Sequence, residues 1–166
     1  LLERGYNFVE PGEGELACHW YGKGRLAGLD EVIEKVEELF SKKDLRGKRV
    51  LVTAGPTQEP LDPVRFLTNP SSGRMGYALA KMARRRGAEV ILVTGPTSIP
   101  IPRGDIKLVR VRTAAEMRKA VLDHLEGCSI LIKAAAVSDF RPKAVSLKKM
   151  KKAEAPLSLA LEKTED

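Results

Sequence analysis

The chain has 166 residues, 43% of them hydrophobic and 31% charged, and a formal net charge of +7. That balance belongs to ordinary globular proteins and excludes wholesale disorder and fibrous repeats. No apolar run approaches the ~20 residues that span a bilayer, and no secretory signal opens the sequence. Cys18 and Cys128 lie far apart and outside any CxxC pair, which argues against a disulfide framework or a Cys-rich zinc site and for the reducing cytoplasm. Leu1 in place of Met, and the uncapped run Lys163-Thr164-Glu165-Asp166, lead us to expect a fragment at both ends. The charge is uneven. Residues 1–47 carry 7 basic and 10 acidic side chains, whereas residues 48–166 carry 22 and 12. A basic unit of that kind expects an anionic partner. With few aromatics, none interleaved with the basic residues, a stacking platform for nucleic acid is poorly supported, and a nucleotide or phosphorylated metabolite fits better.

Taken in chain order, residues 5–28 hold six glycines and read as a loop or flap. Asp30 is placed to cap a helix running to Phe40, with Val32, Ile33, Val36 and Leu39 at helical spacing. The charged stretch 41–47 reads as a linker, so residues 1–46 and 47–166 are expected to belong to different domains. Residues 48–54, KRVLVTA, are a β-branched apolar run of strand length that suits a buried parallel strand. Four prolines between 56 and 72 forbid a regular helix there, leaving Val64–Leu67 as a short extended arm. Ser71 and Ser72 are N-cap candidates for a helix over 73–86 that Gly87 ends. Strands follow at 88–94 and 106–111. Thr113 with Glu116 then forms a capping box for a helix to about Leu125. A strand at 129–135 and the start of a fifth at 156–161 complete the pattern. The alternation predicts an α/β fold: a three-layer Rossmann-like sandwich with a mostly parallel sheet, preceded by a Gly-rich flap and a linker helix. The two strands separated only by residues 95–105 require a hidden crossover or a local rearrangement.

In such a sheet, ligands bind beyond the carboxyl ends of the strands. Thr53-Ala54-Gly55-Pro56-Thr57, Thr94-Gly95-Pro96-Thr97 and Ala134-Ala135-Ala136-Val137-Ser138-Asp139 all occupy such ends. Ser71-Ser72-Gly73-Arg74 at a helix start suits a phosphate, or is an ordinary cap. The roughly 17-residue insert between Gly55 and Gly73 is not the GxGxxG fingerprint, which weakens a nicotinamide-binding reading. Lys148-Lys149-Met150-Lys151-Lys152 is a mobile polyphosphate clamp or a solvated loop. Asp139 is a base or cation ligand, or a helix N-cap. Arg65 and Asn69 are ligands for a phosphate and an acyl group, or a surface salt bridge and an Asx-turn. Cys18 is a mobile thiol or a small core residue, and Cys128 reads as core. His19 and His124 lack paired-ligand spacing, so no protein metal site is expected.

Together, VTAGPTQEPLDPVRFLTNPSSGRMGYALA, ILIKAAAVSDFRPK and KKMKK resemble the ligase half of the bifunctional coenzyme A biosynthesis family. Its members join phosphopantothenoylcysteine decarboxylase to phosphopantothenate–cysteine ligase. Residues 7–28, with PGEGELACHWYGKGRLAG, are similar to the end of the decarboxylase half, although His19 and Trp20 stand where that family has Gly. The resemblance implies a CTP-dependent ligation of 4'-phosphopantothenate with L-cysteine through an acyl-cytidylate, with magnesium on the nucleotide and a homodimer formed through the Pro-rich arm. It implies that Lys149 contacts the triphosphate. Lys133, Ala134, Ala135 and Asp139 frame the cytidine, and Asn69 handles the intermediate with Arg65 nearby. Gly55, Ser71, Ser72 and Gly73 hold substrate or phosphate. Cys18 matches the decarboxylase proton donor, and FMN belongs to a decarboxylase body that these residues do not include. The chain is therefore expected to hold an incomplete ligase domain. The alternatives are a nicotinamide-binding reductase domain and an inactive dimerisation fragment.

Overall fold

The computed structural model describes residues 1–151 and 158–165. The chain folds as two compact units, Leu1–Lys42 and Lys43–Asp166. In the first, a single 3-10 turn at Leu2–Arg4 precedes strands β1 (Gly12–Glu15) and β2 (Tyr21–Arg25), which pair antiparallel, and helix α1 (Leu29–Phe40). The Gly-rich stretch expected as a loop or flap is thus in part a hairpin, with Cys18 exposed in its turn. Gly28, not Asp30, is the N-cap of α1. Asp30 and Glu31 instead occupy the first turn, where the helix dipole favours acidic side chains.

The second unit is built on a four-stranded parallel sheet. Its strands are β3 (Arg49–Ala54), β6 (Glu89–Thr94), β7 (Lys107–Arg110) and β8 (Ile130–Lys133), in the order β7-β6-β3-β8. Between β3 and β6 lie a small antiparallel hairpin, β4 (Gln58–Pro60) with β5 (Phe66–Thr68), and helix α2 (Arg74–Arg85). Helix α3 (Ala114–Asp123) connects β7 to β8, and β9 (Phe140–Pro142) pairs antiparallel with β10 (Leu161–Lys163). Among the described residues no helix is long and apolar enough to cross a membrane.

Alternation along the two central strands explains the three layers. Val50, Val52, Ala54, Val90 and Leu92 face one way, onto Tyr77, Ala80 and Ala83 of α2. Leu51, Ile91 and Val93 face the other, onto Met117 and Ala120 of α3. Leu51 and Leu92 are wholly enclosed, and each contributes roughly 1.5–3 kcal/mol of apolar burial. Cys128 is partly buried against the α3-side core. The Thr113–Glu116 capping box is present, and Gly87, with φ of 90°, follows the C-cap Arg86 of α2.

One local question is settled and three local expectations are corrected. The strands β6 and β7 pair in parallel, Ile91 opposite Lys107, across a connection that contains no helix. Pro96, Pro100 and Pro102 keep that crossover irregular. Of the expected arm at Val64–Leu67, Phe66 and Leu67 lie in β5, the second side of the β4–β5 hairpin, and Val64 and Arg65 in the turn before it; the Arg112 guanidinium lies 5.9 Å over the Phe66 ring. The N-cap of α2 is Gly73, at φ 75°, with no side-chain cap bond, so neither Ser71 nor Ser72 takes that position. The fifth strand is β10, which joins β9 and not the parallel sheet; Pro156 and Leu157 of that expectation lie outside the described residues.

Helix α2 meets β3 at Gly76, where a Cβ would stand 2.5 Å from Ala54 Cβ and 3.0 Å from the Thr53 carbonyl oxygen. Gly76→Val is therefore expected to lower stability by about 1–3 kcal/mol through overpacking, read as a fall in the urea midpoint. An unchanged midpoint would mean that this helix does not sit at that depth.

Candidate active site

The chain leaves β3 for β6 and β7 on one side and returns to β8 on the other. The strand order therefore reverses between β3 and β8, and the crevice at their carboxyl ends is where doubly wound sheets bind ligands. Residues Gly55–Thr57 and Ala134–Asp139 line that reversal. Two threonine hydroxyls sew it together. Thr53 Oγ1 accepts from the N–H groups of Ala134 (3.2 Å) and Ala135 (3.3 Å). Thr57, wholly buried, accepts from the Ser138 N–H at 2.9 Å and donates to Ser138 Oγ at 3.2 Å. The backbones add a bridge between Pro56 and Ala136. Ala136 N–H donates to the Gly55 carbonyl at 2.8 Å, and Thr57 N–H to the Ala136 carbonyl at 3.2 Å.

The structure brings several expected site residues to this seam. Asn69 Nδ2 donates to the Val137 carbonyl at 3.0 Å, so the Asn69 side chain crosses to the second loop. Thr68 Oγ1 donates to the Thr57 carbonyl at 2.7 Å, which fixes the end of β5 beside it. Gly55 and Gly73 both have φ above 70°, and a Cβ on Gly73 would lie 3.3 Å from the Gly55 nitrogen. The start of α2 thus packs directly on the turn after β3, with Ser71 half-buried and Ser72 exposed. Arg74 N–H reaches Ser72 Oγ and Gly73 N–H reaches Ser71 Oγ, each at 3.4 Å. That is a loose arrangement that leaves the helix N-terminus available to an anion. Lys133 and Asp139 are exposed on either side of the loop. Asp139 precedes β9 and caps no helix; Thr164 N–H holds its carbonyl at 2.9 Å.

Arg65 and Lys149 sit at a second junction. Arg65 Nε donates to Asp62 Oδ2 at 2.9 Å, and its guanidinium also donates to the Met150 carbonyl. Lys149 is exposed, with no side-chain partner among the described residues, and Lys152 lies outside them. Asp62 itself was not singled out from the sequence. Its side chain is wholly enclosed, and it accepts from the N–H groups of Val64 (2.8 Å), Arg65 (2.8 Å) and Met150 (3.1 Å) as well as from the Arg65 side chain. Burial alone would raise this carboxyl; the hydrogen bonds from Val64, Met150 and Arg65 outweigh it and hold the group well below the usual carboxylate range. The Asp62-Pro63 pair, an Asx-turn signal, was the cue available in the sequence. Glu59, also buried, was equally silent; its Oε1 accepts from the Ala114 N–H at 2.8 Å at the start of α3.

A separate cavity of about 640 Å³ opens beyond β6 and β7, lined by Tyr77, Thr94–Thr97, Ile99–Ile101 and Arg110–Arg112. The Tyr77 hydroxyl shares hydrogen bonds with Thr94 (3.3 Å) and Thr97 (2.9 Å) on its wall. It adjoins the Gly73 turn through Thr97 but contains none of the other expected ligand residues. Position at the strand reversal is the stronger criterion, because volume alone carries no chemistry.

Two outcomes follow from this geometry. Thr57→Val keeps the shape but removes the acceptor of the buried Ser138 N–H, at a cost of about 1–3 kcal/mol. Amide exchange at Ser138 should rise, and retained protection would refute the seam. The depressed Asp62 carboxyl stabilises the folded state fully above its ordinary value of 3.8 and loses that contribution as pH falls below it. Urea midpoints measured between about pH 5 and pH 2 should therefore fall less steeply for Asp62→Asn than for the unsubstituted protein. Parallel slopes would contradict the assignment.

Residues 45–166 match the family of DNA/pantothenate metabolism flavoprotein C-terminal domains. The whole chain aligns at 48% identity with the coenzyme A biosynthesis bifunctional protein CoaBC of Bacillus subtilis, covering 42% of that protein. With the Vibrio cholerae protein of the same name, identity is 46% over 98% of this chain and 40% of the relative. A protein named cysteine/cysteine sulfinic acid decarboxylase is 47% identical across the chain, which covers 48% of it. The chain thus spans less than half the length of these relatives. Among solved structures, the C-terminal domain of a CoaBC protein superposes with a TM-score of 0.65 at 48% identity, over 76% of this chain and 58% of that one. A Cab2 mutant in complex with phosphopantothenate-cysteine shares the fold, at a TM-score of 0.59 and 21% identity. The parallel sheet, the reversal at β3 and β8 and these matches together show that the chain belongs to the DNA/pantothenate metabolism flavoprotein C-terminal domain family.

Proposed function

We propose that the second unit is the amino-terminal part of a CTP-dependent phosphopantothenate–cysteine ligase acting in coenzyme A biosynthesis. The observation that carries the reading is the 3.0 Å bond from Asn69 to the Val137 carbonyl. It joins the residue expected to handle an acyl intermediate to the loop expected to hold cytidine, at the point where the sheet order reverses. The names of the relatives support the pathway.

In this reading the carboxylate oxygen of 4'-phosphopantothenate attacks the α-phosphorus of CTP and pyrophosphate leaves. The amine of L-cysteine then attacks the acyl carbon, loses its proton and expels CMP. The protein's part is to position and neutralise a polyanion. The backbone at Lys133–Ala135 and the Asp139 carboxylate frame the cytidine. Gly55, Ser71, Ser72 and Gly73 present N–H and hydroxyl groups to phosphate. Arg65 and Asn69 orient the acyl phosphate, and Lys149 offsets triphosphate charge. Magnesium would be held chiefly by the nucleotide phosphates, since this small, reluctantly dehydrated cation typically takes one or two carboxylates plus substrate phosphates. In the complete protein, a homodimer in the cytoplasm, Cys18 would serve as the proton donor of an FMN-dependent decarboxylase whose flavin-binding body these residues do not supply.

The test uses the full-length protein that carries this sequence. Phosphopantothenate-dependent release of pyrophosphate from CTP should fall about 10²–10³-fold for Lys149→Gln, and Asn69→Asp should slow conversion of the cytidylate to product. Rates unchanged by either substitution would refute these roles. A thermal-shift series on the present chain separates the alternatives, since any bound ligand raises the midpoint. Stabilisation by CTP–Mg over ATP–Mg and NADPH supports the ligase, and stabilisation by NADPH the reductase. A defined dimer with no shift supports a dimerisation fragment.

A further inference from the structure

The Asp62–Arg65 pair grips the peptide of Met150 from both sides: Asp62 Oδ2 accepts its N–H at 3.1 Å, and the Arg65 guanidinium donates to its carbonyl. A little upstream, Ser146 N–H donates to the Leu61 carbonyl at 2.9 Å and Ser146 Oγ to the Lys148 carbonyl at 2.6 Å. The lysine-rich segment is therefore tied to the turn between β4 and β5 at two points, on either side of Lys148 and Lys149. Three lysines of this run, Lys148, Lys149 and Lys151, are exposed around the half-buried Met150. Mutual repulsion among like charges would otherwise spread such a segment into solvent.

We infer that Asp62 is a positioning residue: with Arg65 it clasps the Met150 peptide and so fixes the backbone from which Lys149 reaches a polyphosphate. This rests on the ligase reading for the identity of the polyphosphate, but the clasp itself does not. A wholly enclosed carboxylate with backbone and guanidinium donors is a rigid anchor, because breaking it releases four part-buried hydrogen bonds at once. The same hydrogen bonds hold the carboxyl well below its ordinary value and so keep it anionic at neutral pH. A lysine held at one end of its backbone by such an anchor samples fewer positions, and small displacements of a charge-bearing group cost rate steeply.

The experiment is a double-substitution cycle in the full-length protein, with hydrogen exchange read at the Met150 amide. Asp62→Asn should speed exchange at Met150 while leaving β3 and β6 protected, and should lower kcat/KM for CTP about 10- to 100-fold. In a Lys149→Gln background the same change should cost clearly less than it does alone, because part of its effect passes through that lysine and only the part carried by Arg65, which Asp62 also holds, remains. Additive losses would assign Asp62 a merely structural role and overturn the inference, as would unchanged exchange at Met150. If Asp62→Asn fails to fold, the unsubstituted protein decides. Slow exchange at Met150 upholds the clasp, and exchange as fast as at an unstructured amide overturns it. If the full-length protein ligates nothing, the ligase reading fails, and the exchange result still judges the clasp on its own.

Discussion

The site depends on the seam between β3 and β8. Parallel strands present their last backbone groups to a crevice, and the groups beyond the final ladder bond need new partners. Thr53, inside β3, and Thr57, in the turn that follows it, supply them, accepting from the N–H groups of Ala134, Ala135 and Ser138. A loop of small residues, Ala134 to Ser138, is thereby held against the turn after β3 with few bulky side chains between the backbones. Much of what is assigned to the site attaches to this seam: Asn69 through Val137, the start of α2 through the Gly55–Gly73 contact, and β9–β10 through Thr164, whose hydroxyl holds the Ser138 carbonyl at 2.7 Å; Arg65 and Lys149 belong to the second junction, at Asp62 and Met150.

The elements that sequence foretold are those whose signals are local. The runs ending in Thr53-Ala54 and Val93-Thr94 are apolar on both faces, as a strand covered by helices on each side must be. Thr113 and Glu116 form their capping box within four residues. Where the outcome depended on residues distant in the chain, the sequence offered no guide. Ser71 and Ser72 have the chemistry of a cap, but the left-handed turn needed to set α2 on Gly55 puts Gly73 there instead. Likewise, the pairing of β10 with β9 in place of the main sheet is set by tertiary neighbours and not by strand propensity.

The candidate site shows the same division. Its residue types were legible from their motif, and so was their place at strand ends. Their connections were not. Asn69 and Val137 are 68 residues apart, and Asp62 and Met150 are 88 apart. A carboxylate next to proline in a polar stretch, as Asp62 and Glu59 are, reads as solvated; enclosure turns both into anchors for backbone amides. The positive excess of residues 48–166 also gains a more specific meaning. Part of it is spent within the fold, as in the Asp44–Arg86 ion pair, whose Nε–Oδ1 distance is 2.7 Å, and part is displayed on the Lys148–Lys151 segment held over the β4–β5 turn.

The central claim is that a nucleotide occupies the reversal between β3 and β8 and not the separate cavity beyond β6 and β7. The direct measurement is a crystal structure of the full-length protein with CTP and magnesium bound. The account predicts the cytosine against the backbone of Ala134 and Ala135, with the triphosphate running between the Ser71–Gly73 turn and Lys149. A cytosine seated among Thr94–Thr97 and Arg110–Arg112, with the β3–β8 crevice empty, would contradict it.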